Sequence, residues 1–572
     1  MLGANEASLS TFHKFGIIFL HKYIHLLNRS SDFACVDRSD QKRILKDIVL
    51  KDQKINISEL VNKISRIKCS MQDEIEDVEI KNIKDIFAGY QRELIAMNGI
   101  DFDDMILLPT KILKDNNELA KSLPYSYIMV DEYQDTDKSQ RELLKQLCAF
   151  HNNICVVGDD DQTIYSFRGA NHENILDFSK DFAGAKTIKL EQNYRSTMNI
   201  LKASNLLILN NQKRLGKTLF SELGEGSCVE FHELPTPKQE AQFILKQVRL
   251  LISKGHAADD IAILYRTNRQ SRALEEVFLK NDQPYRIKKG LPFYERAEVK
   301  DVLSYMQLAI NQDNDLAFKR ACNQPRRGFG EKKLQALGQL AKAKSCSLFA
   351  ALELSAKSAQ ELSFLSFIKS LSNSSTPVIC SKIEALNLHD CYKDDNQERA
   401  NNIKELHKAL QERYKEGQDL AQALSEIALY SHSSHSENEG RGTWFMSVHA
   451  SKGLEFGAVF VIGMEAGLFP LAGSALEEER RLAYVACTRA KRKLTLSWSR
   501  HKDFAQSSPS PFLGELQGEV LEVITGPLEP GELVRHKLFG IGRVEARVRG
   551  SMLKIVFSGQ PRVIDESFLE RA

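Results

Sequence analysis

The sequence predicts an α/β protein with two parallel-sheet lobes, large helical insertions in both, and a small β-barrel at its C-terminal end. Three observations lead there. Tyr127-Ile128-Met129-Val130 and Ile154-Cys155-Val156-Val157 are short apolar runs that each end in an acidic cluster, as buried parallel strands do when their carboxyl ends carry a ligand site. Ile261-Ala262-Ile263-Leu264-Tyr265 and Ala458-Val459-Phe460-Val461-Ile462 repeat the pattern much later and ask for a second sheet. The tail alternates instead: Leu533-Val534, Gly540-Ile541-Gly542-Arg543-Val544 and Leu553-Lys554-Ile555-Val556-Phe557 read as strands of a compact all-β unit.

With 572 residues the chain exceeds what one core organises, so several domains are expected. From Ser8 to Leu27 the pattern is an amphipathic helix, and from Gln41 to Met97 charges alternate with apolar residues at helical spacing with almost no Gly or Pro. Phe293 to Arg441 is a second helix-rich block that ends in a polar Ser/His loop, Ser431 to Glu439. His432 and His435 there lack acidic or thiol partners at ligand spacing and read as a solvated loop. Gln506-Ser507-Ser508-Pro509-Ser510-Pro511 has no apolar period and reads as a linker.

Charged residues are 27% of the chain but the net charge is only +2, so a nucleic-acid surface must come from local clusters such as Arg326-Arg327, Arg480-Arg481 or Lys491-Arg492-Lys493. The ten cysteines include no Cys-x-x-Cys pair, which argues against a zinc module or a disulfide scaffold and for free thiols in a reducing compartment. The first residues carry neither a basic run nor an apolar core. A soluble, cytoplasmic protein with no membrane partner is expected.

The chemistry begins at the first strand end. Asp131 and Glu132 follow it directly, where one carboxylate is placed to hold Mg²⁺ through water and the next to orient or deprotonate an attacking water. A bare Asp-Glu pair is as often a solvated strand end, so its neighbours decide. Val157-Gly158-Asp159-Asp160-Asp161-Gln162-Thr163-Ile164-Tyr165-Ser166-Phe167-Arg168-Gly169-Ala170 sets a glutamine able to touch a terminal phosphate beside aromatic and basic residues able to stack on bases and meet phosphates. No Gly-x-x-x-x-Gly-Lys-Ser/Thr loop occurs. Gly216-Lys217-Thr218 has Asn211 where the leading glycine belongs, and reads as chance.

These two segments, together with Leu190-Glu191-Gln192-Asn193-Tyr194-Arg195-Ser196, Ser447-Val448-His449-Ala450-Ser451-Lys452-Gly453-Leu454-Glu455-Phe456 and Glu478-Glu479-Arg480-Arg481-Leu482-Ala483-Tyr484-Val485-Ala486-Cys487-Thr488-Arg489-Ala490, resemble helicase motifs II to VI of the UvrD, PcrA and Rep family of superfamily 1, in order and over essentially the whole chain. The resemblance implies RecA-like lobes and a Tudor/SH3-like barrel. It divides the chain into a first lobe of 1–25 and 98–215 with helical insertion 26–97, a second lobe of 216–292 and 442–505 with insertion 293–441, a linker of 506–530 and a barrel of 531–572.

It also implies ATP and Mg²⁺ as cofactors, with Asp131 on the metal, Glu132 as catalytic base, Gln162 at the γ-phosphate and Arg195 and Arg489 as arginine fingers from different lobes. Tyr194 is expected near the adenine and Glu455 at the sugar. Thr11, Phe12, His13, Tyr165, Phe167, Arg168 and His449 are expected along single-stranded DNA, and Arg327, Gly328 and Gly330 at duplex phosphate. The family usually has Trp where this chain has Phe167.

The implied activity is an ATP-dependent 3′-to-5′ DNA helicase acting on single strands and single/double-strand junctions in repair or replication, with RNA polymerase or repair proteins as partners of the barrel. In the family a phosphate-binding loop precedes the Thr-Phe-His motif, so a start ten residues before Thr11 is expected to remove it. Two readings then stand side by side: a helicase whose loop lies in a separate piece, or an inactive truncated remnant that only binds DNA or RNA polymerase.

Overall fold

The computed structural model describes residues 7–571 apart from 50–55, 71–81, 289, 373, 393–395, 434–441, 503–504, 517–520, 526–530, 532, 537, 550–551, 558 and 566–568. The loop holding His435 lies outside the described residues.

Two short parallel pairs form the first part of the chain. β1 (Ala34–Cys35) pairs with β2 (Gly99–Ile100), and β3 (Ile128–Val130) with β4 (Ile154–Val156). The opening helix Phe12–Tyr23 is capped by Thr11, whose side chain accepts from the Lys14 amide. It crosses Asp104–Asp115 so closely that a Cβ on Gly16 would stand 1.7 Å from the Met105 carbonyl oxygen. Only glycine lets these helices meet. The expected helical insertion is present as Arg38–Ile48, Ile57–Ser70 and Ile83–Ala96, packed around Leu45, Leu60, Ile64, Tyr90 and Leu94. It is tied back by Lys68, buried between Asp101 and Asp104 at 2.7 Å from each.

The large sheet is built from β5 (Val229–Leu234), β6 (Ile261–Tyr265), β7 (Tyr285–Ile287), β8 (Thr443–Ser447), β9 (Phe456–Val461) and β10 (Ala490–Ser499). After a short hairpin, β11 (His501–Lys502) with β12 (Ala505–Gln506), β13 (Leu521–Thr525) joins its edge. All neighbours run parallel in the order β13-β5-β10-β9-β6-β8-β7. β6 and β9 are buried at every position, because helices cover both faces, as a parallel sheet requires. Met198–Ile208 and Leu476–Cys487 pack on one face and Pro237–Ser253 and Ser271–Lys280 on the other. The second insertion leaves between neighbouring strands β7 and β8 and is built of helices, with no strand among its described residues, from Ala297–Ile310 to Leu420–Ser433.

Two boundaries differ from expectation. Ile200, Leu201, Leu207 and Leu219 lie in the core of the large sheet, so the chain crosses to the second lobe well before residue 215. The segment read as a linker is docked. Ser510 caps a short helix Pro511–Glu515, Phe512 and Leu513 are buried in the same core, and Glu515 pairs with Arg480. Ser-Pro here is a cap followed by a first-turn proline, not a disordered tether.

The C-terminal strands β14 (Leu533–His536), β15 (Gly540–Arg549), β16 (Met552–Phe557), β17 (Gln560–Asp565) and β18 (Leu569–Arg571) form an antiparallel sheet in the order β17-β16-β15-β14-β18 around Val534, Val544, Leu553, Ile555 and Phe557. The compact antiparallel unit expected from the alternation is present. A pairing of β17 with β18, which would close a barrel, is not found among the described residues.

Candidate nucleotide and strand site between the lobes

β3 delivers Asp131 and Glu132 at its carboxyl end, both exposed. Glu132 has a left-handed backbone (φ 51), and Asp131 Oδ1 accepts its amide at 2.8 Å. Gln134 donates to Glu132 Oε2 and accepts the Asp159 amide at 3.0 Å, joining the ends of β3 and β4. A Cβ on Gly158 would stand 2.5 Å from that same Gln134 oxygen, so the junction requires a residue without one.

Gln162 is held at both ends of its amide. Nε2 donates to Asp159 Oδ2 at 2.7 Å, and Oε1 accepts from Arg489 Nη2 at 3.4 Å. Arg489 comes from the other lobe, is 2% exposed, and is anchored by its own donors to the carbonyls of Val485 and Leu454 at 3.0 and 3.1 Å. Burial, with the Arg195 guanidinium nearby, pulls Arg489 down to about 10, so it remains a cation at neutral pH.

Lys452, unassigned in the sequence reading, bridges the lobes. Its ammonium lies 2.6 Å from Asp135 Oδ2 and 3.5 Å from Glu132 Oε2, donates to the Gln162 carbonyl at 3.1 Å, and sits over the Tyr165 ring. Burial raises the Asp135 carboxyl above the usual range against the pull of Lys452. The segment Ser447 to Phe456 contains Lys452, yet a lysine beside a glycine gives no sign of which acid it will meet.

Tyr194, Arg195 and Glu455 line one open cleft of about 940 Å³ with Gln192, Lys491 and Arg492. Tyr194 is 79% exposed and Arg195 pairs with Glu455 at 2.7 Å. Tyr165, Phe167 and His449 form an aromatic cluster with centroids 5.5 to 6.3 Å apart, and the Tyr165 hydroxyl donates to the His449 carbonyl at 3.1 Å. Arg168 follows in the same turn, Ser166–Arg168.

Thr11, Phe12 and His13 border a separate groove of about 740 Å³ that runs past Tyr127 and Met129 to Asp131 and Glu132. Thr11 is a helix cap, Phe12 packs on the first core, and His13 stacks on Phe102 at 3.6 Å. Burial lowers His13, opposed by Asp137.

In the second insertion Arg327 is partly engaged by its own turn. Its Nη1 turns inward to the Tyr305 hydroxyl at 2.7 Å and the Ala321 carbonyl at 3.2 Å, and the guanidinium lies over Phe364. That nitrogen serves the turn, whereas Arg326, Gly328 (φ 78) and Gly330 are exposed. A carbonyl-rich loop end attracts the nearest guanidinium, which sequence spacing does not reveal.

A glutamine at the end of one sheet's strand, beside an exposed acid pair, is met by a buried guanidinium of the other lobe; Arg195, expected to face it from the first lobe, instead bonds Glu455 and the Thr488 carbonyl and so stands on the same lobe as Arg489. Residues 2–183 match the UvrD/REP helicase N-terminal domain and residues 188–501 the UvrD-like helicase C-terminal domain. The chain is 36% identical over 566 residues to the ATP-dependent DNA helicase PcrA of Bacillus subtilis (strain 168), covering 91% of this chain and 77% of that one. It is 34% identical over 568 residues to PcrA of Staphylococcus aureus (strain NCTC 8325 / PS 47), covering 90% and 76%. The chain belongs to the UvrD-like DNA helicases, a family of enzymes.

Proposed function

We propose that the protein is an ATP-dependent translocase and helicase on single-stranded DNA, moving 3′ to 5′ and acting in DNA repair or replication. The observation that carries this reading is the Gln162–Arg489 contact, in which a group at the end of β4 meets a buried guanidinium of the second lobe. A terminal phosphate between them would draw the lobes together and its loss would release them. Asp131 fits a hydrated Mg²⁺ because its carboxylate stands exposed at a strand end. Arg195 and Arg489 fit a charge spread over phosphoryl oxygens, and the exposed ring of Tyr194 fits an adenine. The Tyr165, Phe167 and His449 cluster, joined to Glu132 and Gln162 through Lys452, fits a strand path that responds to nucleotide state. RNA polymerase or repair proteins would dock on the C-terminal antiparallel unit, and the working compartment would be the cytoplasm. Among the described residues no helix is long and apolar enough to cross a membrane.

The test is phosphate release with and without single-stranded DNA, together with unwinding of 3′-tailed against 5′-tailed duplexes. DNA-stimulated turnover abolished by Glu132→Gln, with unwinding only from the 3′ tail, is expected. A second reading is a DNA-binding module without turnover, since the lysine of the Gly216-Lys217-Thr218 triplet is taken up by Asp159 and Asp161 and is not free to hold a phosphate. Single-strand binding with no hydrolysis would select it.

A further inference from the structure

The Gly216-Lys217-Thr218 triplet is no phosphate loop, yet its lysine lies one side chain from the terminal-phosphate glutamine. Asp159, Asp160 and Asp161 bring three carboxylates together at the end of β4, and the described structure fills the space between them with this chain's own cations. Lys217 Nζ donates to Asp159 Oδ1 and, at 3.0 Å, to Asp161 Oδ2, with Asp160 3.7 Å away. Arg214 forks onto both oxygens of Asp161 at 3.0 and 2.7 Å, and the Leu215 amide donates to Asp160 at 2.8 Å. Each acid therefore has a partner within four consecutive residues of one segment.

That segment belongs to the second lobe. Leu219 is buried in the large sheet's core and exchanges backbone bonds with the Asn205 side chain at 2.8 and 3.2 Å. Beneath Lys217 lies the buried ring of Tyr484, 5.9 Å from its ammonium. Lys217 is 15% exposed and Arg214 7%, so water screens these pairs little. Burial pulls the lysine down, but the three carboxylates outweigh it and hold Lys217 above its usual range. Asp159 then hands the constraint on, because its other oxygen receives the Gln162 amide.

We propose that Lys217, seconded by Arg214, is a positioning residue that locks Asp159 to the second lobe and thereby aims the Gln162 carboxamide at the terminal phosphate. The arrangement gives Gln162 two second-lobe anchors, Arg489 on its oxygen and Lys217 through Asp159 on its nitrogen. Lobe movement reorients the amide from both ends. The role of Lys217 in turnover rests on the proposed hydrolysis, whereas the clamp itself does not.

Two measurements test it on the intact protein. In DNA-stimulated ATP hydrolysis, Lys217→Met should lower kcat about 10- to 100-fold with little change in KM, the range for removing a group that orients a site ligand. Lys217→Met combined with Gln162→Ala should be no slower than Gln162→Ala alone, since both act through one amide, and Lys217→Arg should recover most of the rate. An undiminished kcat in Lys217→Met, or losses that multiply in the double variant, would overturn the role. Amide hydrogen exchange over residues 157–165 is the second measurement, and it needs no turnover. Faster exchange in Lys217→Met at unchanged global unfolding temperature supports the clamp, and unchanged exchange sinks it. If Lys217→Met does not fold, Lys217→Gln takes its place in both. A wild-type protein that hydrolyses no ATP refutes the proposed function, and the clamp is then judged on exchange alone.

Discussion

Arg195 Nε donates to Glu455 Oε2 across 2.7 Å, while Lys491 holds the other carboxylate oxygen at 2.9 Å. The arginine and the carboxylate proposed for phosphate and sugar are thus paired to each other, and on that proposal a nucleotide entering this cleft exchanges one partner for another. Hydrogen bonds from Lys491 first, then Arg195, hold the Glu455 carboxyl down at about 2. The sign follows: a depressed carboxyl contributes above its unfolded value and loses that contribution only as pH falls toward 2. Glu455 will add no pH dependence to activity between pH 5 and 9. Because the side chains are 30% and 44% exposed, the pair contributes at most about 1 kcal/mol to stability. Glu455→Ala should raise KM for ATP about tenfold and leave thermal unfolding almost unmoved, which steady-state kinetics and calorimetry will check.

Phe167 stands 63% exposed, edge-on to His449 at 5.5 Å. An exposed ring set against Tyr165 and His449 is placed to stack on a base. Phe167→Ala should weaken single-strand binding by about 1–3 kcal/mol, with nearly the same salt slope because no phosphate contact is lost. Phe167→Trp should tighten it. Anisotropy titrations at several salt concentrations measure both.

His407 is buried in the second insertion with no hydrogen-bond partner at either ring nitrogen among the described residues, and burial pushes it down to about 4. His172, half-buried beside Arg481, is also pushed down to about 4. The unfolded chain binds protons near pH 6.5 that the folded chain refuses until about pH 4, so stability falls as pH drops through that window. His407 should cost about 2–3 kcal/mol at pH 4.5, and the half-buried His172, screened by water, less. His407→Leu removes two unpartnered polar atoms, and should match or exceed wild-type stability at pH 7 and flatten the acid loss, as denaturant melts at both pH values will report.

A methyl group on Gly158 would collide with Gln134, the residue that joins Glu132 to the Asp159 amide. Gly158→Ala should destabilise by about 1–3 kcal/mol, as overpacking does, and cut turnover more than the stability loss explains. Comparing kcat with the melting temperature separates the two effects.

The strands were legible because a buried parallel strand leaves an uninterrupted apolar run, and β3, β4, β6 and β9 fall on the four runs within two residues. The helical insertions were legible from spacing without Gly or Pro. What stayed hidden was partnership. Met198–Ile208 shows an apolar face but not which of two sheets will cover it, and it chose the second. Ser510-Pro511 carried a readable cap signal that a Ser/Pro-rich composition masked. In the sequence Lys217 stands out only as a phosphate-loop-like lysine; its partners lie 56 and 58 positions earlier, a distance no local pattern encodes. Arg327 turned inward for the same reason, since the carbonyls it meets gather only once the turn is folded.

The strand order of the large sheet also sets a timetable for synthesis. β5 pairs with β10 and with β13, and Glu230 meets Thr495 across 265 positions of chain. At roughly 5–20 residues per second on the ribosome, β5 waits something like ten seconds to a minute for its neighbour. The helical insertion between β7 and β8 is made entirely within that interval and buries its own core, so it is set to fold first. Until then the unpaired backbone edge of β5 is a nascent-chain liability, a natural place for a chaperone to hold this protein.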